Sequence, residues 1–532
     1  MNLIHKVTLF CLILMLGSSA WAQNLMSFSE ISDASVDLSA TEINAVMQCR
    51  KLRALTDFDV AVVSAQIIAA ENEVPEYCRV DGVIRPEITF QVNLPSSWNG
   101  RFYMHGNRGY SGGQPGEAVP ASIRDVALTH AFATAFTDTG HNKSIYPLAT
   151  FAFNNLSQEI DHAFRAVHLT AETAKRLIET YYGQTHDYAY MDGCSTGGRQ
   201  GLMSAQRFPH DFDGIIAGAP ILDFTGTQIW GVWNALSLMK AEPRLDIRYV
   251  DLIADAVYEQ CDALDGLEDG LIENPLACSF DPLTDLPACK NGPDADCFTK
   301  SQREALARVY GGVISNGKIY FPGLPVGAEA KGASYFSDSP ISGWAEWLLP
   351  SADRPSLQGV MGRTFLENLA FDTDRVDYDW TQFDFDRDPE RVHRAGSMLN
   401  ATDTDLDEFE QAGGRMIAYF GWADAGLNPM MMVNYYDEVL SVAGEEVRNY
   451  FRLFLVPGMF HCRGGIGPDH FDAMRYLVDW VELGKAPERI VAKQIREGQV
   501  ERTRPLCPYP AVARYDGGGD TNDAGAFKCV SP

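Results

Sequence analysis

The chain has 532 residues, 46% of them hydrophobic, enough for a large buried core and for more than one lobe. Its 71 acidic residues outnumber 43 basic ones, giving a formal charge of −28; this argues against nucleic acid as a partner, because phosphate recognition needs clustered Lys and Arg. After the first 22 residues no apolar run approaches the about 20 residues that span a bilayer, so no membrane partner is expected once the leader is removed.

Residues 1–22 read as a secretory leader, with Lys6 at a short basic start, an apolar run over 7–16 and Ala20-Trp21-Ala22 as the cleavage pattern. Gln23 then begins the mature chain, which is expected to be secreted or periplasmic. Removing the leader takes Cys11 and leaves an even set of ten cysteines, as an oxidising compartment favours. Connectivity does not follow from sequence alone. Short separations suggest Cys49 with Cys78, Cys261 with Cys278, Cys289 with Cys297 and Cys507 with Cys529, leaving Cys194 for Cys462. Free thiols or metal ligands are the alternative, which the lack of CxxC spacing disfavours.

Runs 88–94, 101–105 and 131–137 alternate with turns and read as strands. From 158 to 182, Ile160, Ala163, Phe164, Val167, Ala171, Ala174 and Ile178 recur at three- and four-residue steps, predicting one long helix with a face that packs on a sheet. A strand at 188–191, a sharp turn at Ser195, a helix over 199–207 and a strand at 214–217 follow. The rhythm returns with strands at 416–420 and 450–456 and helices over 429–440 and 470–483, the last closed by Gly484. Strands alternating with helices predict a mostly parallel sheet covered on both faces. Residues 223–408 lose the alternation and are rich in Asp, Pro, Gly and aromatics, so they read as an inserted lid domain between core parts 23–222 and 409–532.

Gly193-Cys194-Ser195-Thr196-Gly197 satisfies G-x-S-x-G, in which small flanking residues permit the strained strand-to-helix turn that exposes a serine hydroxyl. The pattern is weak alone, but here it follows a strand and opens a helix, whose positive end favours developing negative charge. An α/β-hydrolase also needs a carboxylate and then a histidine, each after a later strand. Asp424 and His461 occupy those places, and the three residues predict a Ser195-His461-Asp424 triad. A Cys194–Cys462 bridge would hold Ser195 and His461 within roughly 14 Å of each other between Cα atoms. The oxyanion donors would be the backbone N–H groups of Thr196 and Gly109, the latter in the glycine-rich turn 105–113.

The motifs Gly-Cys-Ser-Thr-Gly-Gly-Arg at 193–199, Gly-Trp-Ala-Asp at 421–424 and Pro-Gly-Met-Phe-His-Cys at 457–462 together resemble the tannase and feruloyl esterase family of secreted α/β-hydrolases. The resemblance covers nearly the whole mature chain. It implies a serine esterase acting on esters of aromatic acids such as ferulate or gallate, with terephthalate monoesters as the alternative within the class. Ala425-Gly426-Leu427-Asn428 departs from the more apolar, proline-containing run usual in the family. Segment 261–272 looks like the family's calcium loop, which implies a structural calcium held by Asp262, Asp265 and Asp269 side chains and by Leu267 and Leu271 carbonyls. Among the lid aromatics Trp230, Trp233, Trp344, Trp347, Phe365, Phe371, Tyr378 and Trp380, two or three are expected to meet a substrate ring. Lys331 and Arg363 are candidates to meet a free carboxylate. Two readings of other classes stand beside this one: a calcium-dependent secreted binding protein on an inactive hydrolase scaffold, and a thiol-redox protein using Cys194.

Overall fold

The computed structural model describes the chain apart from residues 1–26, 30, 39–41, 291, 295, 335–338, 351–354, 376 and 532. The expected leader lies outside the described residues. A nine-stranded sheet forms the centre, built from β1 (Val60–Ile68), β2 (Tyr77–Ile84), β3 (Ile88–Pro95), β4 (Arg101–His105), β5 (Ala133–Thr137), β6 (Tyr188–Cys194), β7 (Gly214–Gly218), β8 (Arg415–Gly421) and β9 (Phe451–Val456). Their spatial order is β9-β8-β7-β6-β4-β5-β3-β2-β1. Every pairing from β5 through β4, β6, β7 and β8 to β9 is parallel, while β1, β2 and β3 form an antiparallel edge joined to β5.

The parallel strands are short and buried along nearly their whole length, as a sheet covered on both faces requires. At the antiparallel edge, β1 alternates buried and exposed residues, the pattern of a strand with one wet face. The helices α1 (Ala118–Thr129), α2 (Ala166–Tyr182) and α3 (Thr196–Arg207) follow β4, β5 and β6 respectively. The long helix expected over 158–182 is divided: Leu156–Ile160 is α-helical, Asp161–Arg165 takes a wider π turn, and α2 completes it. The fully buried Arg199 guanidinium explains the widening, since it donates to the His162 and Ala163 carbonyls within that turn.

Between β7 and β8 the chain leaves the sheet and builds a helical insertion over it. Its main helices are α4 (Phe224–Met239), α5 (Ile247–Cys261), α6 (Lys300–Gly311), α7 (Gly343–Trp347) and α8 (Leu357–Asn368). The chain then returns for β8, α9 (Pro429–Ala443), β9 and α10 (Ala473–Leu483). The last helix starts three residues later than its periodicity suggests, because Asp472 turns its carboxylate onto the Arg475 N–H and caps it there. Two antiparallel hairpins, Ile490–Arg496 with Gln499–Leu506 and Val512–Tyr515 with Phe527–Val530, close the chain. The cysteines are joined as Cys49–Cys78, Cys194–Cys462, Cys261–Cys278, Cys289–Cys297 and Cys507–Cys529. No described helix is long and apolar enough to cross a membrane.

Candidate active site

Ser195 stands between the end of β6 and the start of α3 with φ 66° and ψ −119°, a backbone region that costs a non-glycine residue about 1–3 kcal/mol. Surrounding bonds over-determine it: the Ser195 N–H donates to the Gly218 carbonyl, and its own carbonyl accepts from the Arg199 and Ile221 N–H groups. The turn also needs glycines on both sides. A Cβ on Gly193 would fall 2.5 Å from the backbone of Gly197, too close for any side chain.

Asp424 follows β8 and is fully buried. One carboxylate oxygen, Oδ1, accepts from the Gly426 and Leu427 N–H groups at 2.8 Å each; Oδ2 lies 2.7 Å from His461 Nδ1. The unusual sequence after Asp424 therefore still forms a turn that grips the carboxylate. His461 follows β9, its Nε2 lies 3.6 Å from Cys462 Sγ, and the Trp347 ring meets its ring edge-on at 5.2 Å. The Cys194–Cys462 bond, with Cα atoms 6.0 Å apart, ties the residue before Ser195 to the residue after His461.

Ser195, Thr196, Gly109 and His461 line one cavity of about 360 Å³. Apolar walls come from Ile221, Phe224, Trp230, Leu357, Met361 and Leu427, and this volume and lining suit a single aromatic ring with a short alcohol. Of the eight lid aromatics, among which two or three are expected to meet substrate, Trp230 and Trp347 line the cavity. Trp233 instead donates to the Arg308 carbonyl under that residue's guanidinium, Trp344 is fully buried, and Phe365 packs on Phe224. Phe371 packs with Tyr378, and Trp380 begins a short 3₁₀ turn. Lys331 pairs with Asp251 and Arg363 with Glu367, and neither is among the described residues lining the cavity.

Gly109 has φ +54°, while a Cβ there would meet nothing within 4 Å, so conformation and not space demands glycine. The Thr196 hydroxyl donates to the Gly109 carbonyl, joining the loop to the first residue of α3. A second fastening was not visible from motifs. Buried Gln200 accepts from the Asn107 N–H at 2.9 Å and donates to Asn107 Oδ1 at 3.1 Å, locking the same loop onto α3. Beneath the site, burial and then the Arg108 charge hold the His105 imidazole down at about 3, so it is neutral. Burial raises the Asp192 carboxyl to about 6.

The expected calcium site is overturned. Asp262 accepts from the Gly270 and Leu271 N–H groups, Asp265 from those of Leu267 and Glu273, and Asp269 pairs with Arg504 at 2.7 Å and more loosely with Arg502. Asp262 and Asp265 thus point at backbone donors, and Asp269 at guanidinium groups that supply the positive charge a cation would have brought. No group of three or more His, Cys, Asp or Glu suited to a metal occurs among the described residues. The Leu267 and Leu271 carbonyls therefore have no carboxylate cage to complete, and the idea of a calcium-dependent binder falls with it. The bonded state of Cys194 likewise removes the thiol-redox reading.

A serine on a strained elbow, a histidine held by a buried carboxylate and an apolar cavity between them define a serine-type carboxylic ester hydrolase of α/β-hydrolase fold. Comparison with known proteins gives the family. The model described as tannase and feruloyl esterase matches residues 72–530, and the chain belongs to that family. It is 35% identical to mono(2-hydroxyethyl) terephthalate hydrolase of Piscinibacter sakaiensis, over 88% of this chain and 87% of that protein. It is 29% identical to feruloyl esterase B of Aspergillus niger, over 93% of this chain and 94% of that one. The crystal structure of feruloyl esterase B from Aspergillus oryzae superposes with TM-score 0.79 at 25% identity, covering 91% and 99% of the two chains. The protein is thus an esterase of the feruloyl esterase and tannase type, acting on aromatic and phenolic esters.

Proposed function

We propose that Ser195, His461 and Asp424 carry out this hydrolysis through an acyl-enzyme. His461 takes the Ser195 proton as Oγ attacks the ester carbonyl, and Asp424 holds the imidazole by Nδ1 and stabilises its charged form. The oxyanion that forms is received by the N–H groups of Thr196 and Gly109. His461 then delivers its proton to the alkoxy oxygen as the C–O bond breaks, the alcohol leaves, and water repeats the sequence to free the acid. The observation that carries this reading is the 2.7 Å His461–Asp424 bond at the edge of a cavity shared with Ser195. The insert over 223–408 acts as the lid, since Phe224, Trp230, Trp347 and Met361 all reach that cavity from it.

The favoured acyl groups are phenolic, of the feruloyl or galloyl kind. The terephthalate monoester reading draws on the name of the 35% identical relative. It needs a cation to meet the second carboxylate. Among the described lining residues the guanidinium is that of Arg108, within the 105–113 loop, whose charge acts on Asp192 of β6, Tyr103 of β4 and Tyr419 of β8. Export from the cytoplasm accompanies the proposal, supported by the leader pattern and the five disulfides.

Methyl ferulate, methyl gallate and mono(2-hydroxyethyl) terephthalate should be hydrolysed with the terephthalate slowest. Ser195→Ala should abolish turnover of all three and labelling by a fluorophosphonate while the thermal midpoint stays near that of the unaltered protein. Retained turnover in a folded Ser195→Ala protein rejects the assignment.

A further inference from the structure

Among the described residues of the cavity wall, the hydrolytic steps give no role to the acidic side chain of Glu346. Glu346 lies on α7 next to Trp347, lines the same cavity as Ser195 and His461, and is 7% exposed. Its place is built: Ser342 caps α7 by accepting from the Trp344 N–H, and the Ser334 hydroxyl donates to the Glu346 carboxylate. The next residue, Trp347, packs on the His461 ring and all three line one cavity, so Glu346 stands on the histidine side. Burial raises its pKa, as befits a carboxyl enclosed by protein, and the His461 charge and the Ser334 bond act against that rise.

Position decides what such a group meets. His461 must face the alkoxy oxygen to protonate it, so a side chain beside His461 faces the departing alcohol and not the acyl ring. Trp347 packs edge-on against His461 from the next residue in the chain, giving that side one aromatic wall and one acceptor. A carboxylate accepts hydrogen bonds from hydroxyl or amide groups and, within a low-dielectric cavity, repels another carboxylate.

We propose that Glu346 is a specificity-determining residue for the alcohol half of the ester, accepting hydrogen bonds from uncharged hydroxyl- or amide-bearing alcohols and excluding alcohols that carry a carboxylate. The proposal rests on the assignment of His461 as the group that protonates the leaving alcohol. It concerns the leaving group alone, and the acyl preference is set elsewhere in the cavity.

A pair of ferulate esters isolates the charge: the carbamoylmethyl ester and the carboxymethyl ester, nearly equal in shape, measured beside methyl ferulate on the whole protein. The unaltered enzyme should favour the carbamoylmethyl ester by at least about 10-fold in kcat/KM, and Glu346→Gln should bring the two within about 3-fold, the carboxymethyl ester gaining most. Glu346→Ala serves as a second variant in which the same ratio should collapse. If the unaltered enzyme treats the two esters alike, or if a folded variant keeps the original ratio, Glu346 does not select the alcohol. Methyl ferulate separates the layers. Failure of the unaltered enzyme on that ester overturns the esterase reading itself, whereas turnover of it with an unchanged ratio overturns only the role of Glu346.

Discussion

At Asp424 two backbone N–H groups occupy Oδ1, which leaves Oδ2 for the imidazole and so fixes which ring nitrogen carries a proton. In Asp424→Asn the amide oxygen would take the place of Oδ1, and its NH₂ would face His461 Nδ1. The imidazole would then hold its proton on Nε2 and could not accept one from Ser195. The expected outcome is a fall in kcat of about 1,000- to 10,000-fold with KM little changed, measured on methyl ferulate. At this scale the motifs pointed to Ser195, Asp424 and His461, because a strained elbow and post-strand loops demand particular residue types. They did not point to Asn107, Gln200 or Glu346, whose partners are distant in sequence or shared with the lid, so no local spacing marks them.

Among the elements, the Cys194–Cys462 bond joins the β6–α3 elbow to the loop after β9 across a sequence separation of 268 residues. The chain-entropy model assigns such a closure about 5–6 kcal/mol, and loss of a native disulfide typically costs about 2–5 kcal/mol. The double variant Cys194→Ala/Cys462→Ala should therefore lower the unfolding free energy in urea by about 2–5 kcal/mol. It should also lower kcat by about 100-fold, the effect of a misplacement of about 1 Å between reacting groups. Cys507→Ala/Cys529→Ala, which unties the last hairpin from the end of the strand before it at residues outside the cavity lining, should cost stability without lowering kcat. If both double variants lose activity equally, the bond at the elbow has no special bearing on geometry. Elements that bear the parallel sheet were legible because buried strands are continuous apolar runs and the helices between them are periodic. The antiparallel edge β1–β2 was not, since its alternation blends into the polar turns around it. The π turn at Asp161–Arg165 was equally hidden, because the Arg199 side chain that fills it comes from another helix.

Over the whole molecule, buried titratable groups pull stability in opposite directions with pH. Burial lowers His105 to about 3 and His141 to about 4. The unfolded chain takes up protons at these residues from about 6.5 downward while the folded one does not, so acid weakens the fold through them. Burial raises Asp138 from 3.8 to about 6, against hydrogen bonds from Thr89 and Gly140. Its contribution to stability is fully present below 3.8 and is lost as pH rises through about 6, the reverse sense. Asp138→Asn removes that opposing proton. Between pH 6 and 4 the variant should lose stability faster than the unaltered protein, by about 1 kcal/mol per pH unit, as read from urea midpoints across the range. Parallel slopes would place the Asp138 titration at its ordinary value.

Segment 262–271 has the spacing of a cation site, yet Arg502 and Arg504 arrive from a hairpin more than two hundred residues downstream and neutralise Asp269 directly. Spacing specifies which oxygens are available; the tertiary structure specifies which positive group reaches them.

What the sequence by itself determined is the alternation of strands and helices and the placing of a serine, an acid and a histidine at strand ends, since burial periodicity and backbone strain are local demands written in residue order. What only the tertiary structure decided is which side chains wall the cavity, which carboxylates meet N–H groups or arginines, and that Glu346 shares a cavity wall with His461. Those are contacts between segments far apart along the chain, and packing and charge choose among them only once the sheet has brought them together.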